Sequence, residues 1–164
     1  IRREEKLLGY SVVTSIPSLS IAFLAGMDGS VMLYQDKGVQ NLLKSTRKTA
    51  ALFAQPLPSS RESDHQIGLL IVNVEAKTAI FASFTLSDGT DDTRTTKDLS
   101  TWKLALPKGF VITSFLAIDS GSEDGVMLVL GSRNGSIAIF YANDQPDVEN
   151  DLTHQYLLTK AHGF

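Results

Sequence analysis

The only imidazoles in the chain are His65, His154 and His162. Acid–base or metal chemistry needs such a side chain beside a carboxylate or a second imidazole. Glu62-Ser63-Asp64-His65 has Glu-x-x-His spacing, which brings two side chains together only on a helix. Residues 55–66 also carry Pro56, Pro58 and Ser59-Ser60, so this stretch reads as a loop and the pair does not converge. Asp88, Asp91 and Asp92 resemble a calcium loop only superficially. The alternating acidic positions and closing Glu of an EF-hand are missing. Asp144, Asp147, Glu149 and Asp151 form a second acidic loop, suited to solvation or to a basic partner. The chain has no cysteine, which removes thiolate nucleophiles and sulfur-ligated zinc. No serine lies in a Gly-x-Ser-x-Gly elbow. Gly26-Met27-Asp28-Gly29 lacks the Lys-Ser/Thr that follows a phosphate-binding loop. The residues point to no catalytic group, no metal and no cofactor.

Charge narrows the partners. The chain has 164 residues, 43% of them hydrophobic and 20% charged, and a net charge of −3. This is the composition of a folded domain, without the basic excess of a nucleic-acid-coating protein. Lys44, Arg47 and Lys48 form one basic cluster that could touch nucleic acid or an acidic partner. It also reads as an ordinary exposed face. Arg2, Arg3 and Lys6 are offset by Glu4 and Glu5. No apolar run reaches the roughly 18 residues of a membrane-spanning helix.

The elements that must position these groups announce themselves as repeated hairpins. Residues 19–27 run into Asp28-Gly29 and continue as Ser30-Val31-Met32-Leu33-Tyr34. Residues 126–133 run into Asn134-Gly135 and continue as Ser136-Ile137-Ala138-Ile139-Phe140-Tyr141. Asp-Gly and Asn-Gly between apolar runs predict β-hairpins, with type I′ turns that require positive φ at both central residues. Asn134-Gly135-Ser136 is also a glycosylation sequon, but the turn already accounts for it. A degenerate third copy runs from Ile67 to Val74, turns over Glu75-Ala76-Lys77, and returns as Thr78 to Phe84. The two clear turns lie 106 residues apart, Gly29 to Gly135, or two periods of about fifty, the length of a propeller blade.

A second marker repeats. Residues 102–110 resemble residues 156–164, each ending in Gly-Phe, and both read as outer strands. Residues 10–16 and 111–118 read as innermost strands. Several strands are apolar throughout, so both of their faces must be covered. Residues 55–66, 86–100 and 143–153 read as loops. Within residues 37–54, Val39, Leu42, Leu43 and Ala50 have partial helical spacing, which predicts a short helix interrupting the first outer strand.

With these motifs in hand, the chain resembles WD-repeat proteins. Their hairpin pattern, Gly-Ser-x-Asp-Gly-Thr/Ser-Ile-x-Ile-Trp, is matched by Gly131-Ser132-Arg133-Asn134-Gly135-Ser136-Ile137-Ala138-Ile139-Phe140. A shortened version runs from Gly26 through Asp28-Gly29 to Tyr34. Tyr34 and Phe140 stand where the family has Trp, and no Trp-Asp pair occurs.

The resemblance implies an all-β fold: a partial β-propeller of four-stranded antiparallel WD-like blades in an incomplete ring. Residues 1–9 would be a charged leading segment and 10–49 a first blade. Residues 50–108 would be a divergent second blade, 109–161 a third, and 162–164 the start of another. Propellers need four to eight blades, so the chain reads as a segment of something longer. Missing blades would come from the rest of the polypeptide or from a partner. The resemblance implies a non-catalytic interaction scaffold among other protein subunits, nuclear or cytoplasmic. The alternatives are an enzyme or ligand site in a central channel, and RNA or DNA contact through Lys44, Arg47 and Lys48.

Overall fold

In the computed structural model, the described residues are 10–36, 38–44, 48–58, 63–74, 78–88, 94–119, 125–143 and 151–159. Short apolar runs containing β-branched and aromatic residues alternate with Gly, Asp, Asn and Pro, and the chain accordingly forms strands. Twelve lie among the described residues: β1 (Tyr10–Ile16), β2 (Ile21–Gly26), β3 (Ser30–Gln35), β4 (Gly38–Lys44), β5 (Thr49–Leu57) and β6 (Asp64–Asn73) lead. They are followed by β7 (Thr78–Asp88), β8 (Arg94–Ala105), β9 (Ile112–Asp119), β10 (Val126–Ser132), β11 (Ile137–Ala142) and β12 (Tyr156–Leu158). A 3-10 turn, Pro17–Leu19, joins β1 to β2. The strands make three antiparallel sheets, each of four strands in chain order: β1 to β4, β5 to β8, and β9 to β12.

Two expectations about local structure are corrected. The partial helical spacing in residues 37–54 does not make a helix, because β4 pairs with β3 from Gln35–Gly38 to Ser30–Lys44. Val39 and Leu43 pair across the ladder with Tyr34 and Val31, and this tertiary pairing overrides a weak local period. The stretches read as loops are also shorter than expected. Strand β5 runs on through Gln55 and Pro56 to Leu57, β6 begins at Asp64, and β8 begins at Arg94. Pro56 is tolerated because β5 is an edge strand, whose outward amide needs no ladder partner. Leu152, in the third stretch read as loop, forms a parallel bridge to Leu104, with Ala105 N–H donating to Leu152 O at 2.9 Å.

The turns are real but of another type. Gly29 N–H donates to Gly26 O at 3.2 Å, and Gly135 N–H donates to Ser132 O at 3.0 Å. Only Gly29 (φ 88°) and Gly135 (φ 85°) are left-handed there, while Asp28 and Asn134 are not. Each loop is therefore a three-residue turn closed by a left-handed glycine, not a two-residue type I′ turn. The acidic or amide residue has a different job from the one expected. Asp28 Oδ1 accepts from Ser30 N–H at 3.0 Å and from Ser30 Oγ at 2.6 Å; Asn134 Oδ1 accepts from Ser136 N–H at 3.0 Å. This explains the shared Asx-Gly-Ser order: the side chain clips the backbone two residues on.

The clip has a pH signature. The Ser30 hydroxyl, then the Ser30 amide, then the Lys44 charge hold the Asp28 carboxyl below its ordinary range. A group with a depressed folded pKa stabilises the fold above its unfolded pKa, about 3.9 for Asp. That contribution is lost as pH falls through the folded value. We expect Ser30→Ala to raise the Asp28 pKa toward the ordinary value in a carboxyl NMR titration. An unchanged midpoint would show that the serine does not hold the charge.

The core explains why β6 is apolar on both sides. Ile67, Leu69 and Ile71, with Ala82, Phe84 and Leu86 of β7, pack against Ile16, Ile21, Phe23, Ala25, Val31 and Leu33 of the first sheet. Leu70 and Val72, with Ala79, Phe81, Trp102 and Leu104, pack against Ile112, Ala117, Leu128, Leu130, Ala138 and Phe140 of the third. The middle sheet is thus sandwiched between two separate cores. Phe23 meets Phe84 edge-on at 6.1 Å in one, and Phe81 meets Phe115 at 6.1 Å in the other.

The three sheets approach most closely at their first strands, β1 to β5 and β5 to β9. Gln55 closes the second junction: its side-chain amide donates to Ala117 O and accepts from Ala117 N–H, the latter at 2.9 Å. Farther out, long polar side chains span the gap between first and middle sheets. Gln40 Nε2 donates to Thr96 Oγ1 at 2.6 Å, Gln35 Nε2 to Arg94 O at 3.3 Å, and the Arg94 guanidinium to Leu19 O.

Candidate interaction surfaces

Among the described residues, His65 and Asp88 lie in a group of side chains that ties strands together. His65 lies in strand β6, not in a loop, and is half-buried. Its Nε2 is 3.5 Å from Asp88 Oδ1, which is also 3.2 Å from Arg94 Nε. Asp64 Oδ1 accepts from Ser87 Oγ at 2.8 Å, and Asp64 Oδ2 lies 3.7 Å from Lys97 Nζ. The ladder itself assembles this group, since Asp64 pairs with Ser87 and Asp88 with Arg94. Through Arg94 it reaches Leu19 of the first sheet. These carboxylates neutralise cations and clip strand ends. Among the described residues, no three His, Asp or Glu side chains gather as a metal-ligand set. His154 stands edge-on to the Phe140 ring at 6.3 Å, which is a packing contact. Glu62, Asp91, Asp92, Asp144, Asp147, Glu149 and His162 lie outside the described residues.

Of the basic cluster, Lys44 ends β4 and is exposed, Lys48 is exposed, and Arg47 lies outside the described residues. Lys44 sits opposite Ser30, and its charge acts on Asp28. Part of the positive charge is therefore met within the molecule. Asp28, Gly29, Asn134 and Gly135 do hold the turns, as described above.

What the sequence did not single out are the two outer faces of the stack. On the third sheet, Leu116, Val129, Ile139 and Tyr156 line up across four strands, beside Ile118, Met127 and Tyr141. Directly opposed residues in a ladder share a face. Leu116 is 47% exposed, Ile118 40%, Tyr156 59% and Leu158 53%. On the first sheet, Val13, Leu24, Met32 and Asn41 line up, beside Ser15, Ala22, Tyr34 and Val39. Here Val13 is 63% exposed and Val39 is also exposed, while Leu24 is buried. Neither set contains a charged residue, and the next pair along the first-sheet face, Ser30–Lys44, brings in one lysine. A solvent-facing side of an antiparallel sheet ordinarily alternates to polar residues, and both sets are more apolar than that. The signal was present in residues 126–142, but unbroken apolar runs do not reveal which side a fold leaves open.

The class defined by this architecture is an all-β chain of consecutive four-stranded antiparallel sheets, stacked face to face with apolar ends. No protein-family model matches the chain, and no curated protein matches it significantly.

Proposed function

We propose that the chain is a non-catalytic protein–protein interaction scaffold, supplying consecutive blades of a WD-like β-propeller to a multiprotein assembly. The observation that carries this is the pair of largely apolar, partly exposed sheet faces that end the stack, typified by Leu116, Ile118 and Val13. Other features support it. The sheets follow one another in chain order and come closest at their first strands, and the first and third carry the Asx-Gly-Ser turn between second and third strands. In a propeller the blades surround a central channel, and four to eight are needed. Three sheets leave work for further blades. A nuclear or cytoplasmic setting goes with this reading.

The polar groups fit the same reading, since Asp64, Asp88, Arg94 and His65 tie neighbouring strands together. Function then rests on surfaces and loops. The test is affinity purification of the tagged chain from the cells that produce it. Other subunits at fixed stoichiometry are expected. Recovery of the chain with nothing but its own copies, or turnover of a substrate by the purified protein, would overturn the scaffold reading.

A further inference from the structure

We infer that Asn134 is a self-modification site, which the folded turn converts to aspartate through a cyclic imide formed with the Gly135 backbone nitrogen. The chain has five asparagines, and Asn134 alone is followed by glycine. With no Cβ beside it, the Gly135 nitrogen closes a five-membered ring without crowding. The turn prepares the carbon that it attacks. Asn134 is exposed, and its Oδ1 accepts from Ser136 N–H at 3.0 Å. That donor faces the oxygen on which negative charge builds as Cγ is attacked, as an oxyanion-hole amide does. The same clip folds the side chain forward over the Gly135 peptide, so little rotamer freedom is left for ring closure to cost. Gly135 N–H donates to Ser132 O at 3.0 Å. Attack therefore follows a brief opening of that bond, with hydroxide taking the proton.

The step balances with water as the only co-reactant. Gly135 N bonds to Asn134 Cγ, the Cγ–Nδ2 bond breaks, and ammonia leaves. Water then opens the imide at Cγ to give aspartate, or at the Asn134 carbonyl carbon to give isoaspartate. The first hairpin shows where the aspartate comes to rest. Asp28 occupies the same Asx-Gly-Ser turn, its Oδ1 accepting from Ser30 N–H at 3.0 Å and from Ser30 Oγ at 2.6 Å. That serine holds the Asp28 carboxyl below its ordinary range, and an ionised carboxylate resists a second attack by the backbone nitrogen. Aspartate at 134 thus fits the turn and stays. Isoaspartate instead adds one carbon atom to the main chain of a short loop, whose flanking strands pair from Gly131–Ile137 onward. The fold favours the normal product, and the change adds one negative charge to a net −3.

Incubating the folded chain at mildly alkaline pH tests this, beside the same chain unfolded in guanidinium chloride. Far-UV circular dichroism checks that the first sample stays folded. Peptide mass spectrometry should place the amide-to-acid mass change at residue 134, faster at higher pH, with Asn41, Asn73, Asn143 and Asn150 intact. A protease that cuts before aspartate but not before isoaspartate reads the product. Normal aspartate should be a larger share in the folded chain than in the unfolded one. The variant Asn134→Asp, which carries the product from the start, should keep the β spectrum and melt no lower than the wild type. Retention of Asn134 by the folded chain, while the unfolded chain loses it, overturns the inference, because the fold then protects the residue. Equal aspartate shares in the two samples overturn the turn's part in directing the product. A variant Asn134→Asp that loses its β spectrum overturns the resting state drawn from Asp28.

Discussion

Phe81→Ala should destabilise the chain by about 3–5 kcal/mol, the usual cost of removing a buried ring. Phe81 is fully buried in the core between middle and third sheets, 5.4 Å from Trp102 and 6.1 Å from Phe115 by ring centroid. Its ring also closes over Gly68, where an added Cβ would sit 3.1 Å from Phe81 Cε1. Trp102 is the only tryptophan and lies in this same core, so its fluorescence reports this junction directly. The urea midpoint followed by Trp102 should fall on the order of 2 M. Phe84→Ala removes an equally buried ring from the other core, against Phe23. Sheets that touch only their neighbours unfold as semi-independent units, so Phe84→Ala should move the Trp102 transition less than Phe81→Ala does. Equal shifts would mean the two cores melt as one.

Gly125→Ala should cost about 2–4 kcal/mol, from a left-handed backbone and a clash acting together. Gly125 precedes β10 with φ of 81°, and a Cβ there would lie 2.2 Å from Ala142 O and 2.9 Å from Asn143 Cα. Both obstacles are backbone at the end of β11, which cannot swing aside as a side chain can. The control is Gly109, whose φ of 74° is similar but whose Cβ would meet nothing within 4 Å. Gly109→Ala should therefore show the conformational penalty alone, about 1–2 kcal/mol. Thermal or urea unfolding of the two variants separates the terms. If Gly109→Ala is as damaging as Gly125→Ala, the close approach at Ala142 contributes nothing.

Local signals in the chain were informative where local chemistry decides. Asx-Gly between apolar runs located two hairpins, because glycine alone adopts the left-handed turn residue comfortably and an Asx oxygen can clip Ser30 or Ser136. The turn type was misjudged because it depends on whether two or three residues span the strands, and the ladder register sets that. Residues 37–54 misled through partial helical spacing, since cross-strand pairing with β3 outweighs a weak period. His65 was misplaced for a similar reason. Prolines and serines nearby suggested a loop, yet the long pairing of β6 with β7 continues to Asp64–Ser87 and brings His65 to Asp88. Gln55 carried a faint clue, a lone amide after Ala51-Leu52-Phe53-Ala54, but its partner Ala117 lies 62 residues away.

By itself the sequence determined that this is a β protein of repeated hairpins. Short apolar runs and glycine turns are properties of neighbouring residues, and they persist wherever the segment is placed. Only the tertiary structure decided which sides of those strands are covered. Strand β6 is apolar on both sides and both sides are buried; β9 and β12 are also apolar, yet Leu116, Ile118 and Tyr156 face outward. The difference is position in the stack. A sheet with neighbours on both sides buries both faces, and an end sheet leaves one open, so the surface available for association is set by the order of packing.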